Sequence, residues 1–325
     1  MSCARASRRA VLTSAAAVIS GAMFLTGCGG DDGSGSAAAK ESSTRRITDA
    51  TGREVEVPSD PQKVVTLSEP TLDAALALGV KPVGATAGRG QSGVSTYLAD
   101  KASSAQVVAT VAEADIEKLA ALQPDLILLD ETTAVKNEVA KLEAIAPTVV
   151  TAKLNEDWKK AFTATADALN KEPQAEKILT DFDTDVAATE KKLGTDAGAV
   201  VSVVRWQNGA PSVVGKGVGH VGSTLTALGL ARPKDQQGAS AGHSEPVSLE
   251  KLSTIDGDWL FFGTLGDRAD GAKAYAEARK AANFGKLKAE QAGHVVVVEG
   301  SAWNSAGGPL AARIVLDDIT KALAS

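Results

Sequence analysis

The adjacent pair Arg205-Trp206 closes the apolar run "AVVSVV" and is the plainest candidate for binding chemistry in this chain. An arginine forks two N–H donors toward a carboxylate or another oxygen-rich group. A tryptophan offers a flat apolar face with one polar edge. The chain has four Trp and two Tyr, so each aromatic position carries information. Trp303 follows the run "HVVVV" in "SAWNSAGG"; Arg89 sits in the Gly-rich stretch "AGRGQSG" and Tyr97 comes after it. Arg205, Trp303, Arg89, Trp206 and Tyr97 are therefore the ligand-binding candidates. Neighbours on a strand point to opposite sides, so one of Arg205 and Trp206 is expected to face a ligand. Trp158 and Trp259 are assigned to packing.

Other chemistries find weaker support. The three histidines, His220, His243 and His294, show no pair at metal-ligand spacing, so a directly bound zinc or manganese ion is disfavoured. "GVGHVG" places Gly217, Gly219 and Gly222 in a dinucleotide-like pattern. Such a fold needs a further strand and an acid about 20 residues on; "ARPKDQQGASAGHSEP", which reads as loop, stands there instead. Ser92 in "GQSG" lacks the context of a nucleophile elbow. No catalytic residue, no metal ligand and no cofactor is assigned, and an enzyme is not expected.

The elements that must position the candidates follow from periodicity. "RITDATGREVEVP" reads as a hairpin. "KVVTL", "PVGAT", "DLILL" and "TVVTA" are short strands, separated by helices that include "SEPTLDAALALGV" and "EADIEKLAAL". From Asp157 to Leu193 no strand is expected; helical spacing runs through Trp158, Phe162, Ala166 and Leu169, with Pro173 starting a second segment or a kink. The alternation then resumes through "AVVSVVRW", "PSVVG", "GSTLTALGL", "SLEKLSTI", "DWLFF" and "HVVVV" to a final helix near 310–323. Such alternation predicts parallel sheets covered by helices.

The chain also repeats itself. "DIEKLAALQPDLILL" is echoed by "SLEKLSTIDGDWLFF", "LDAALALGV" by "GSTLTALGL", and "APTVVTA" by "AGHVVVV", all in the same order. The fold class expected is α/β: two Rossmann-like lobes joined by a long helical bridge, with a ligand cleft between them at the carboxyl ends of the strands. The boundaries expected are 46–156 for the first lobe, 157–194 for the bridging helix and 195–325 for the second lobe.

At 325 residues, 44% hydrophobic and 23% charged, the composition is that of a globular protein. The formal charge of −6 argues against nucleic acid as a partner. Residues 1–27 have a basic head, an apolar middle and a small-residue end, the layout of an export signal. "SRRAVL" resembles a twin-arginine signal, and Leu25-Thr26-Gly27-Cys28 resembles a lipobox, in which Cys28 takes a diacylglycerol. Residues 28–45 then form a lipidated flexible tether. Once Cys3 leaves with the signal and Cys28 is lipidated, no cysteine remains for a disulfide.

Lipobox, tether, "GREVEVPSDPQKVV", "TLDAALALGVKPVG", "LAALQPDLIL", a helical bridge and "WNSAGGPLAARIVLDDI" together resemble the iron-siderophore substrate-binding lipoproteins of ABC importers. These belong to the helical-backbone class that also includes vitamin B12 and haem binders. The resemblance covers roughly residues 45–325. It implies a monomeric receptor on the outer face of the cytoplasmic membrane that delivers its ligand to a membrane permease. It also implies an aromatic ligand contact near Trp303, and one acid per lobe docking on the permease. The first-lobe acid falls on Asp73, six residues before Gly79; the matching position in the second lobe is Ser223, a departure from the pattern. Cobalamin, haem or another chelate remains an alternative cargo on the same fold, with Tyr97 or His243 as the axial ligand that haem would prefer.

Overall fold

The computed structural model describes residues 43–217, 219–238 and 242–324. The export signal, Cys28 and the tether as far as residue 42 lie outside the described residues. The body opens with the expected hairpin, β1 (Thr44–Thr48) against β2 (Glu54–Pro58), antiparallel, with Thr44 opposite Pro58. Its turn is held by Asp49, whose carboxylate accepts the N–H groups of Thr51 and Arg53 at 2.9 and 3.0 Å. Alternation turns Ile47 and Val57 inward.

The first lobe is a five-stranded parallel sheet. Along the chain run β3 (Val64–Thr66), α1 (Glu69–Ala77), β4 (Gly84–Thr86), β5 (Gln106–Ala109), α2 (Ile116–Ala121), β6 (Leu126–Leu129), α3 (Val139–Glu143) and β7 (Thr148–Val150). The spatial order is β5-β4-β3-β6-β7. The strand β5 was not anticipated: "QVVA" is short and follows a turn-rich stretch. Residues 126–129 are apolar throughout because β6 is buried on both faces, as parallel strands are.

The bridge is two helices rather than one: α4 (Trp158–Ala168) and α5 (Glu172–Glu190). Asn170, at φ 56°, breaks the run, and Pro173 stands in the first turn of α5, where its missing N–H costs nothing. Phe162 and Ala166 of α4 join the first lobe's core, whereas Phe182 and Val186 of α5 join the second's. The bridge is thus packed into both lobes.

The second lobe comprises β8 (Val201–Gln207), β9 (Ala210–Val213), α6 (His220–Ala227), β10 (Trp259–Gly263), α7 (Arg268–Ala278), α8 (Lys288–Ala292), β11 (Val295–Val297), α9 (Gly300–Trp303) and α10 (Pro309–Leu323). Its sheet has the order β11-β10-β8-β9. The edge strand β9 departs from the all-parallel expectation. Asn208 and Gly209, at φ 53° and 80°, make a two-residue hairpin turn, and a connection that short permits only antiparallel pairing.

The repeat is structural. The helices α1 and α6 end alike, at Leu78 (φ −80°, ψ 3°) and Leu228 (φ −82°, ψ 2°). Each is followed by a glycine in the left-handed region, Gly79 at 78° and Gly229 at 68°. The second "EKL" segment forms a 3-10 stretch, Leu249–Ile255, rather than an α-helix.

Candidate ligand-binding cleft

A cavity of about 460 Å³ lies between the lobes, within the usual range for ligand sites. One wall comes from the first lobe: Pro70, Arg89, Asp130 and Thr132. The loop after β7, residues 152–156, contributes beside it. The opposite wall holds Arg205, the loop 214–216, the first turn of α6, Trp303 at the end of α9 and the loop 304–307. All of these lie at or beyond strand ends, as open α/β sheets require.

Arg205 faces this cavity from the end of β8. The residue is 5% exposed, and its buried Nε has no hydrogen-bond partner. Burial, followed by the charge of Arg89, lowers its pKa from the ordinary value. Trp206, the next residue, points the other way. Its ring packs on Phe262 and Phe284 with centroids 5.5 and 6.0 Å apart. The strand alternation therefore gives Arg205 to the cleft and corrects Trp206 to a core residue.

Arg89 lines the cleft from the loop after β4. Its backbone N–H donates to Glu69 Oε1 at 3.0 Å, and its Nη2 donates to the Thr132 carbonyl at 3.2 Å. The loop is pinched at Gly88, where a Cβ would lie within 2.8 Å of Ser95 backbone atoms. Glu69 is buried beneath it and also accepts the hydroxyls of Ser95 and Ser305, each at 2.6 Å. The sequence reading missed Glu69; its signal was the capping stretch "SEPT".

Trp303 borders the cavity but is only 1% exposed. Its ring stacks on Phe261, with centroids 4.7 Å apart and planes 15° apart, and its Nε1 donates to Asp318 Oδ2 at 2.9 Å. A residue so engaged has no free face for stacking on a ligand. Tyr97 is away from the cavity lining. Its hydroxyl donates to Asp73 Oδ2 at 2.9 Å, and burial pushes its pKa well above the usual value.

Asp73 is a correction as well. It is 0% exposed and cannot meet a permease. Its Oδ1 accepts the N–H of Leu310 at 2.8 Å and its Oδ2 that of Ala311 at 2.9 Å, capping α10 from the other lobe. Burial raises its pKa, while these hydrogen bonds oppose the rise. Ser223, the matching position, is also occupied: it accepts the Trp158 indole N–H at 2.8 Å.

Asp130, at the end of β6, is a cleft residue that the sequence reading missed. It accepts the Ser68 hydroxyl and the Thr132 N–H, each at 2.8 Å, and burial raises its pKa. Arg232 was missed too, hidden in the segment read as loop. Its guanidinium donates to the carbonyls of Gly215 and Val214 at 2.7 and 2.8 Å and so props up the cleft loop from behind. Burial brings its pKa down to about 10.

The glycine pattern has a packing explanation. A Cβ at Gly222 would lie 2.6 Å from the carbonyl oxygens of Gly215 and Gly217, so α6 approaches the loop closely. The histidines are far apart in role. His220 is buried and donates from Nε2 to the Ala302 carbonyl at 2.6 Å; burial lowers its pKa to about 4. His243 is exposed at the cleft rim, and His294 stacks on Trp259 at 4.1 Å. Among the described residues, no three His, Cys, Asp or Glu side chains converge as a metal site.

Comparison with known proteins agrees with this geometry. The model of the periplasmic binding protein family matches residues 64–302. YfiY of Bacillus subtilis (strain 168), named as a probable siderophore-binding lipoprotein, is 33% identical over 309 residues, covering 91% of this chain and 93% of that protein. YhfQ of the same organism, named for the substrate-binding lipoproteins of ABC transporters, is 27% identical over 276 residues, covering 82% and 84%. Among solved structures, SirA of Staphylococcus aureus complexed with staphyloferrin B superimposes with a TM-score of 0.72 at 28% identity, over 86% of this chain and 98% of that one. With two α/β lobes, a helical bridge and a cleft at the strand ends, the chain belongs to the periplasmic binding protein family.

Proposed function

We propose that the chain is an extracytoplasmic receptor that captures a ferric siderophore and delivers it to the permease of an ABC importer. The observation that carries this reading is Arg205: a buried guanidinium facing an interlobe cavity without a counter-charge among the described residues, beside relatives named for siderophore binding. A chelate with oxygen ligands supplies what Arg205 lacks. The iron arrives already chelated and is cargo, so the receptor needs no resident cofactor and performs no catalysis. The test is intrinsic fluorescence of the purified chain, titrated with ferric chelates, haemin, cobalamin and Zn(II). Trp158 and Trp303 border the cavity and report its occupancy. Submicromolar quenching by a ferric chelate supports the reading; quenching by haemin or cobalamin alone overturns the cargo.

The relatives' names, lipoprotein and binding protein, agree with an extracytoplasmic location. The lipid anchor on Cys28 belongs to the proposal; Cys28→Ala should release the chain from membranes. The receptor acts as a monomer. Its permease-facing acids are reassigned from Asp73 to the repeated "EKL" segments. Glu117 and Glu250 are both exposed, and both stand in the first turn of a helical segment leading into a central strand. That position puts each acid at the cleft end of its lobe.

A further inference from the structure

The lining of the cleft is net cationic and short of open ring faces. Its lining holds four cationic side chains, Arg89, Lys153, Arg205 and Lys216, against two carboxylates, Asp130 and Glu156. Asp130 is turned toward Ser68 and Thr132. Glu156 accepts from Lys160 at 3.4 Å. Neither carboxylate pairs with Arg205; among the described residues, the Arg205 guanidinium meets no hydrogen-bond acceptor and no acid. Arg89 stands close enough for its charge to act on Arg205. Its nearest acid, Glu69, is 3.9 Å away from Nε and is already engaged by three other donors. Arg205 thus borders the cavity unpaired, and Arg89, facing it from the opposite lobe, is held only by a loose ion pair with Glu69 and one carbonyl. Leaving a desolvated charge in that state is costly, and an anion between the two relieves the cost.

The aromatic side of the lining is spent. Trp158 meets Phe182 edge-on at 5.4 Å and donates its N–H to Ser223; Trp303 stacks on Phe261. Trp206 and Tyr97 face elsewhere. A ligand with broad aryl faces would find no free platform here, whereas a ligand with peripheral carboxylates would find forked donors.

Resting on the siderophore reading above, we propose that the cleft is selective for an anionic ferric chelate of the α-hydroxycarboxylate class. In that class aliphatic, citrate-like groups hold the iron, and here a peripheral carboxylate bridges Arg205 and Arg89. A ferric tris-hydroxamate is neutral or cationic and offers the guanidiniums oxygen acceptors but no counter-charge. A ferric tris-catecholate brings the charge but also three rings.

The test is calorimetric titration of the purified chain with four probes. They are the ferric complexes of citrate and of a bis-citryl diamine, ferrioxamine B, and ferric enterobactin. Each is run at low and at moderate salt. The expected result is tightest binding of a citrate-type chelate, weakened by salt. Arg205→Gln should weaken that binding 30-fold or more, and Arg89→Gln about tenfold. Arg205→Lys, which keeps the charge and loses the fork, should fall between wild type and Arg205→Gln. Ligand-free Arg205→Gln should melt no lower than wild type, because it loses an unpaired buried charge; its binding defect is then not a folding defect. Tighter binding of ferrioxamine B or ferric enterobactin, or unchanged binding in Arg205→Gln, overturns the inference and leaves the siderophore reading standing. Silence toward all four probes overturns both.

Discussion

Asp73 Oδ1 accepts the backbone N–H of Leu310 at 2.8 Å, so a side chain of the first lobe caps the last helix of the second. The neighbouring oxygen takes Ala311 N–H, and Gly308 is small because a Cβ there would lie 2.8 Å from Oδ1. A carboxylate at a helix N-terminus meets both free N–H donors and the positive end of the helix dipole. Further links join the same two regions. Glu69 accepts Ser305, Thr96 Oγ1 donates to Glu299 at 2.9 Å, and Gln91 Nε2 donates to the Leu265 carbonyl at 2.8 Å. The lobes are therefore tied by a polar seam as well as by the bridge, a combination that restrains hinge opening.

Asp73→Ala is expected to lower stability by roughly 3 kcal/mol, because it strands two helix N–H groups and the Tyr97 hydroxyl in a buried place. Asp73→Asn keeps acceptor capacity for one of the N–H groups and should cost about half as much. Denaturant melts of the three proteins measure this. A loss of permease stimulation in a correctly folded Asp73→Asn would instead restore the docking role that burial argues against.

His220 predicts a defined acid sensitivity. Its folded pKa of about 4 lies below the ordinary 6.5. Between those values the unfolded chain holds a proton that the folded chain does not, so acid favours unfolding. Stability should therefore fall as pH drops from 6.5 toward 4 and level off below. The contribution lost by pH 5 is about 2 kcal/mol. His220→Gln, which retains a donor for the Ala302 carbonyl, should flatten this part of the profile in urea melts at pH 7 and pH 5.

The sequence made the layers legible because parallel strands and amphipathic helices write their burial into periodicity. The glycines after Leu78 and Leu228 marked matching helix ends. Strand alternation told Arg205 from Trp206 only in principle, since either face of β8 could have met the cleft. The packing of Trp303 and Tyr97 was illegible for one physical reason, although Trp303 does line the cavity. An aromatic beside a strand-end loop serves a ligand or a neighbour, and the neighbours, Phe261 and Asp73, are distant in sequence. Asp73 was misplaced because its partner, the start of α10, is more than 230 residues away. Arg232 was hard to see because two of its acceptors are backbone carbonyls, which leave no trace in residue type, and the third, Gln236, lies in the same segment read as loop.

Trp303 separates packing from ligand contact. Trp303→Ala should cost about 4 kcal/mol through the cavity left beside Phe261. Trp303→Phe keeps a ring in the stack and loses the donor to Asp318, for a cost of about 1.5 kcal/mol. If the residue is structural, ferric-chelate affinity in Trp303→Phe should stay within about twofold of wild type at a temperature where both are folded. A large affinity loss with little change in melting would make it a ligand platform after all.

Glu117 and Glu250 test the link to the permease. The repeat gives each lobe an exposed acid in the first turn of the matching helical segment, one on each lobe for a partner that meets both. Neither lines the cavity, so Glu117→Ala and Glu250→Ala should leave ferric-chelate affinity unchanged in titrations. Each should weaken association with the cognate permease on the order of tenfold, mainly through the association rate and more at low salt than at high. Charge reversal to Lys should do more than removal, and the double variant should abolish uptake in cells while the purified protein still loads. Uptake at wild-type rates in the double variant would place the docking surface elsewhere on the lobes.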